Sequence, residues 1–336
     1  MKKSLAALSA IILLFSCSAP ALAVGTSAAS AVLIEAESGD IVYEKDAHAR
    51  RGPASTTKIM TALVAIENST LDKVVTVAPE AANVEGSSAY LYAGEQVTME
   101  TLLYALMLGS ANDAAAAIAY EVAGGIEEFA ALMNEKAASL GLRDTHFENP
   151  HGLDAEDHYT SAYDLAMIAR AALENETFRK IVSTKNYAAK MNGGDATRVF
   201  HNHNRLLHSY DDIIGVKTGF TKKCGRTLVS AAERDGVTVI AVTLDDGDDW
   251  RDHRALLDEG LSLYERVTLC RTGDFETEID TVGGKVRLAA PSDVSVALPR
   301  ERGEIEIAEE YFAAGGRVRF YLDGKMIADV ALVADG

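Results

Sequence analysis

Apolar and polar positions alternate with a period of two between residues 30 and 46, in "SAVLIEA" and "IVYEKD" about the turn Ser38-Gly39-Asp40. That alternation predicts a β-hairpin at the head of the fold. The period then lengthens to that of a helix over residues 55–67, 99–108, 112–122, 126–140 and 161–173. Gly124-Gly125 and Gly141 stop two of these segments, and Ser161 with Asp164 reads as an N-cap and its N3 partner. Strand patterns return after Arg198, in "GVKTGFT" and then in "RTLVSAAER" and "VTVIAVTLDD", which are joined by the hairpin signal Asp235-Gly236. A helix over residues 252–264 follows.

Strands at both ends with helices between them predict an α/β (α+β) fold, an antiparallel sheet whose ends meet and which is sandwiched by helices. From about Val267 the texture changes to short alternating segments, "KVRLAAP", "VSVALP", "EIEIAEE" and "RVRFYLDGKMIADVALV", with Asp323-Gly324 as a turn. The expected organisation is a segment 1–23, a main domain 24–265 and a small all-β domain 266–336.

Residues 1–23 read as a secretory signal, because Lys2 and Lys3 precede an apolar stretch and Ala21-Leu22-Ala23 offers a small-x-small cleavage site. A lipoprotein signal at Leu14-Phe15-Ser16-Cys17 is the rival reading, and Phe15 fits it poorly. The chain is therefore expected to be exported across the cytoplasmic membrane. Its net charge of -18 repels phosphate and argues against nucleic acid as a partner. A hydrophobic share of 48% describes an ordinary folded chain, and no run beyond the leader approaches the length of a membrane span. Cleavage would remove Cys17, leaving Cys224 and Cys270 without metal-like spacing, so no disulfide framework is expected.

The candidate chemistry begins in "PASTTKIMTALVAIE". On a helix Ser55 and Lys58 share a face, so the amine can reach the hydroxyl, and a serine in a first turn lies in the positive field of the helix start. Alone, this is also what an exposed first turn looks like. Ser110-Ala111-Asn112, in "LMLGSANDAAAAIA", sets a hydroxyl and an amide between two helical segments, where an N-cap is the plainer reading. Lys217-Thr218-Gly219, in "GVKTGFT", sets a cation, a hydroxyl and a residue without a side chain on one strand, along which a ligand's backbone could pass.

Together, in this order, SxxK, SxN and KTG form the signature of penicillin-recognising serine enzymes. With "NPHGLDAEDHYTSAYDLA" and "GVKTGFTKKCGRTLVSAAERDG", the region from about residue 28 to 260 resembles the low-molecular-mass penicillin-binding proteins that act as serine D-alanyl-D-alanine carboxypeptidases. The resemblance implies a β-lactamase/transpeptidase-like fold and a small C-terminal β-domain. It implies Ser55 as the acylated nucleophile, Lys58 as its base and Ser110 as a relay to the leaving amine. Asn112 would bond the substrate amide or order Lys58, Lys217 and Thr218 would hold the terminal carboxylate, and Gly219 would let the ligand pass. The backbone N–H groups of Ser55 and Phe220 would form the oxyanion hole. Substrates would be peptidoglycan stem peptides, β-lactams would be covalent inhibitors, and neither a cofactor nor a metal is called for.

Two departures stand out. In relatives an arginine on the helix after the final strand often contacts the substrate carboxylate; the matching position holds Asp249, leaving Arg251 or Arg254 as substitutes. Many relatives also end in an amphipathic membrane-binding helix, whereas "MIADVALVADG" reads as a strand, which leaves open whether the protein associates with a membrane. His201, His203 and His208 read as a polar loop rather than a metal site, His151 as a loop-fixing residue, and Asp245, Asp246, Asp248 and Asp249 as a solvated acidic turn. Rival functions are a class A-like β-lactamase, which needs a glutamate-activated water that no motif between Asn112 and Lys217 supplies, and an idle cell-wall-binding module.

Overall fold

A computed structural model describes residues 24–190, 197–281, 284–312 and 315–334. The secretory-signal reading of residues 1–23 and the thiol Cys17 lie outside the described residues. β1 (Ser30–Glu35) and β2 (Ile41–Lys45) form the hairpin that opens the fold. A 3-10 turn, Ala54–Thr57, then runs straight into α1 (Lys58–Asn68). The ribbon of β3 (Val74–Thr76) and β4 (Gln96–Thr98) leads to α2 (Met99–Met107), which Thr98 caps by accepting from the Thr101 amide.

α3 (Asn112–Ala123) stops at Gly124, whose φ of +84° no other residue adopts cheaply. α4 (Ile126–Ser139) and α5 (Ala162–Leu173) follow, and the Ser161 hydroxyl caps α5 by accepting from the Asp164 amide. After α6 (Glu176–Val182), the ribbon of β5 (Asn186–Lys190) and β6 (Thr197–His201) leads through α7 (Arg205–Ser209) into β7 (Ile213–Thr221). β8 (Gly225–Arg234) and β9 (Val237–Leu244) complete the main sheet, and α8 (Asp249–Leu263) covers it.

The main sheet is antiparallel with order β2-β1-β9-β8-β7, so the first and last segments of this region meet where β1 pairs β9. Because strand side chains alternate, Val32, Ile34, Val229, Ile240 and Val242 face one helical layer, while Leu33, Val239 and Ala241 face α8 with Leu256, Leu257 and Leu261. Three layers result. α1 lies inside the larger helical layer, touching α2, α3, α4, α5 and α6, and Ile59, Met60, Leu63 and Val64 are at most 2% exposed. Each such aliphatic contributes about 1.5–3 kcal/mol by burial, which fixes the helix that carries Lys58.

Two details differ from the sequence reading. α8 starts at Asp249, three residues earlier than expected, which brings Asp249 and Trp250 into its first turn. The acidic run is not a solvated turn throughout: Asp246 and Asp249 are 3% and 5% exposed. Asp246 is drawn inward because its carboxylate accepts from the Ser27 hydroxyl and the Asp248 amide.

β10 (Tyr264–Cys270) continues directly from α8 and pairs with β13 (Val294–Pro299). β11 (Thr277–Thr281), β12 (Gly284–Ala289), β14 (Glu306–Phe312), β15 (Gly315–Leu322) and β16 (Lys325–Ala334) form a second sheet in the order β11-β12-β16-β15-β14. Leu288, Val318, Phe320, Val330 and Leu332 give this β-region its own core. Ala297 nevertheless packs into the α8-side cluster with Leu33, and Lys325 pairs with Asp40 at 2.8 Å.

Candidate active site

Ser55 sits in the 3-10 turn, not in an α-helical first turn, and the difference has a geometric effect. In a 3-10 turn side chains three apart eclipse one another, so Lys58 stands directly over Ser55. Lys58 Nζ lies 2.9 Å from Ser55 Oγ, 2.7 Å from Asn112 Oδ1 and 2.5 Å from the His151 carbonyl. The turn is clamped from two sides. Ala54 is held at φ +49°, and a Cβ on Gly152 would lie 1.9 Å from the Ala54 carbonyl oxygen. A Cβ on Gly219 would lie 2.9 Å from the Ser55 amide nitrogen, so β7 passes the nucleophile as bare backbone.

Lys58 is fully buried. Burial holds its ammonium pKa well below the ordinary lysine value, the neighbouring Lys217 lowers it further, and Asp113 acts in the opposite sense. Three oxygens surround Nζ, enough for all the donors of an ammonium, and they also hold the amine once it has lost a proton. Asn112 Oδ1 and the His151 carbonyl can only accept, which uses both N–H groups of an uncharged amine and leaves its lone pair for the Ser55 O–H.

Ser110 lies between α2 and α3 at φ +58°, a conformation costly for a side-chain-bearing residue, and lines the same cleft as Ser55. Asn112 opens α3; its amide nitrogen donates to the Ser87 carbonyl and its Nδ2 to the Glu85 carbonyl. With Oδ1 on Lys58, its side chain orders the lysine in this structure. The next residue, Asp113, was not singled out by sequence: its carboxylate accepts from the Ala89 and Leu91 amides and the Ser88 hydroxyl, pinning the 85–92 loop beside the cleft.

Lys217, 1% exposed, donates to the Thr218 carbonyl at 2.8 Å, and burial lowers its pKa to about 7. Thr218, Gly219 and the exposed Phe220 line the cleft, a cavity of about 440 Å³ that holds Ser55 and Ser110 as well. The structure thus gathers Ser55, Lys58, Ser110, Asn112, Lys217, Thr218, Gly219 and Phe220 into one site. Four lining residues were not proposed from sequence as site residues: Ser87, His203, Arg226 and Trp250. Asp249, which marks a departure from the family pattern, lines it too. A signal for Arg226 existed, since folding "GVKTGFT" against "RTLVSAAER" sets it opposite Phe220.

Arg251 and Arg254, expected as substitutes for the missing arginine, are committed elsewhere. Arg251 pairs with Asp248 and Asp252, while Arg254 pairs with Asp212 and Asp258 and lies over the Tyr210 ring. Of the three clustered histidines, His201 bonds Asn186, His208 bonds the Asn202 carbonyl, and His203 reaches the cleft. His151 contributes its carbonyl to Lys58, and partial burial lowers the pKa of its ring to about 3. Cys224 lies beside Asp154 in a separate depression with Lys223 and His158.

Comparison with known proteins shows the family of the chain. A family model described as D-alanyl-D-alanine carboxypeptidase matches residues 16–248. The D-alanyl-D-alanine carboxypeptidase DacF of Bacillus subtilis (strain 168) is 33% identical over 295 residues, 84% of this chain and 75% of that protein. The D-alanyl-D-alanine carboxypeptidase of Streptomyces sp. (strain K15) is 40% identical over 222 residues, 61% of this chain and 76% of that protein. Among solved structures, penicillin binding protein 5 from Haemophilus influenzae matches with a TM-score of 0.73 at 27% identity, covering 92% of this chain and 97% of its own.

Proposed function

The chain belongs to the D-alanyl-D-alanine carboxypeptidase family, and from that premise we propose that it works through an acyl-enzyme on Ser55 with Lys58 as general base. It is a serine hydrolase that cleaves the D-alanyl-D-alanine bond. The observation that carries the assignment is the fully buried Lys58 amine, 2.9 Å from Ser55 Oγ and held in place by two pure acceptors.

Ser55 Oγ attacks the carbonyl carbon of the penultimate D-alanine while Lys58 Nζ takes the hydroxyl proton. The developing oxyanion is received by the backbone N–H groups of Ser55 and Phe220, a reading supported by the close passage of Gly219, the residue before Phe220, at the Ser55 amide. The C–N bond then breaks. Ser110 hands its proton to the departing D-alanine amine and takes up in its place the proton held on Lys58, leaving an ester on Ser55 and Lys58 neutral, and water attacks that ester with Lys58 again as base. Lys217 and Thr218 orient the substrate's C-terminus along β7. With a β-lactam the leaving nitrogen stays tethered to the acyl group, so the site remains blocked.

The substrate we assign is the D-alanine terminus of peptidoglycan stem peptides, met outside the cytoplasmic membrane after the leader has directed export. Among the described residues no helix is long and apolar enough to cross a membrane. Residues 24–265 are assigned as the catalytic domain and 266–336 as the β-domain. The β-lactamase alternative is disfavoured because no glutamate stands among the described residues lining the cleft. An idle binding module has no use for a lysine buried at a cost to stability.

Labelled penicillin and release of D-alanine test the assignment together. Wild type is expected to form an ester on the peptide containing Ser55, and Ser55→Ala none. Lys58→Ala should acylate about 10²-fold more slowly near neutral pH. Labelling that persists in Ser55→Ala removes the nucleophile assignment, and unchanged acylation in Lys58→Ala gives the base to another group.

A further inference from the structure

The terminal carboxylate of the substrate needs a cation, and the one the sequence offered is poorly suited to carry that task alone. Lys217 is buried, donates to the carbonyl of its own neighbour, and burial brings its pKa to about 7, so near neutral pH much of it is uncharged. Arg251 and Arg254 are tied into other ion pairs. Arg226 is different: it lines the cleft with Ser55, Ser110 and Thr218, and its side chain is 52% exposed.

Register brings Arg226 to the carboxylate end of the site. β7 and β8 pair Phe220 with Arg226 and Thr218 with Leu228. Directly paired residues and those two apart share a sheet face, so Thr218, Phe220 and Arg226 stand on one side of the sheet. Diagonal neighbours in an antiparallel pair are about 7–8 Å apart, a gap an arginine side chain spans. Lys217 and Gly219 project to the opposite side, where Gly219 meets Ser55. The two cations therefore approach the site from different faces of β7.

An anchor is present too. Asp249, in the first turn of α8 and 5% exposed, accepts from Arg226 at 3.5 Å. That single long contact restrains the guanidinium over the cleft and leaves most of its N–H donors to a ligand. Burial raises the Asp249 pKa, while Arg226 acts to lower it. Its position in the first turn of α8 offsets part of the repulsion that a second carboxylate would feel.

Resting on the carboxypeptidase reading above, we propose that Arg226, held by Asp249, binds the terminal carboxylate of the substrate together with the Thr218 hydroxyl. Arginine suits this task because its planar fork meets a carboxylate with two parallel N–H bonds and keeps its charge at all working pH values. The position of the missing family arginine is thereby inverted in sign: the helix supplies the anion, and the neighbouring strand supplies the cation.

The test compares an N-acylated tripeptide ending in D-Ala-D-Ala as the free acid and as the C-terminal amide. Wild type should prefer the acid, and Arg226→Ala should lower kcat/KM for the acid by about 100-fold, the scale for removing one partner of a desolvated charge pair, with the amide changed far less. Arg226→Lys keeps the stem and the charge, preserves the fold if the alanine variant does not, and should retain an intermediate preference. An equal fall for acid and amide, or an unchanged preference in both variants, overturns the assignment of Arg226. A wild-type protein that neither hydrolyses these peptides nor binds labelled penicillin overturns the carboxypeptidase reading and this inference with it.

Discussion

Replacing Gly152 by alanine should damage both stability and acylation, and a second glycine provides the control that separates the causes. Gly152 has φ +86°, and a Cβ there would lie 1.9 Å from the Ala54 carbonyl oxygen, 2.5 Å from its carbon and 2.9 Å from Thr57 Oγ1. Gly124 has φ +84° at the end of α3, yet a Cβ there would meet nothing within 4 Å. Both substitutions carry the left-handed backbone strain of about 1–2 kcal/mol. Only Gly152→Ala adds overpacking, about 1–3 kcal/mol more, for a total of about 2–5 kcal/mol. The overpacked contact presses on the residue before Ser55 and on the loop whose His151 carbonyl accepts from Lys58. A shift of about 1 Å there can cost about 10²-fold in rate. Urea unfolding and the rate of labelled-penicillin acylation, measured on both variants, read the two effects. Equal stability losses in both, or wild-type acylation by Gly152→Ala, would show that the clamp on the nucleophile's turn is not what the contacts indicate.

Lys217 links stability to pH. Its folded pKa is about 7 against an ordinary 10.5, so unfolding takes up a proton anywhere between those values, and this group's contribution makes stability climb as pH rises through that window. Lys217→Met should therefore stabilise most at and below about pH 7, with the advantage shrinking toward about pH 10; a pH-independent difference in urea midpoint would refute the buried-cation argument. A fragment of residues 24–265 should release D-alanine by itself, since every proposed chemical group lies upstream of β13. An insoluble or inactive fragment would show that the packing of Ala297 beside Leu33 is indispensable, and the proposed division into domains would have to be withdrawn.

How much of this was legible in sequence depends on the range of the interaction that decides each feature. The β1–β2 hairpin, the Asp235-Gly236 turn and the Ser161 cap follow from residues within a few positions of one another, and each is where local pattern predicts it. The pairing of β1 with β9 followed from a topological rule, since two apolar strands at opposite ends of a helical region can bury their edges against each other. Ser55 and Lys58 met because their spacing brings them together in either helix type, and the 3-10 turn was hidden because the segments that pack against it lie far away in sequence: Gly152 lets backbone approach Ala54, and Gly219 lets β7 approach the Ser55 amide. The start of α8 failed for a similar reason. Asp248 and Asp249 look like solvent-loving turn residues until Arg226, more than twenty positions upstream, supplies the charge that lets Asp249 be buried in a helix. Short-range pattern thus decides which elements form, whereas the conformation of the reactive turn and the sign of charge at each cleft position are decided by partners that only the folded chain brings within reach.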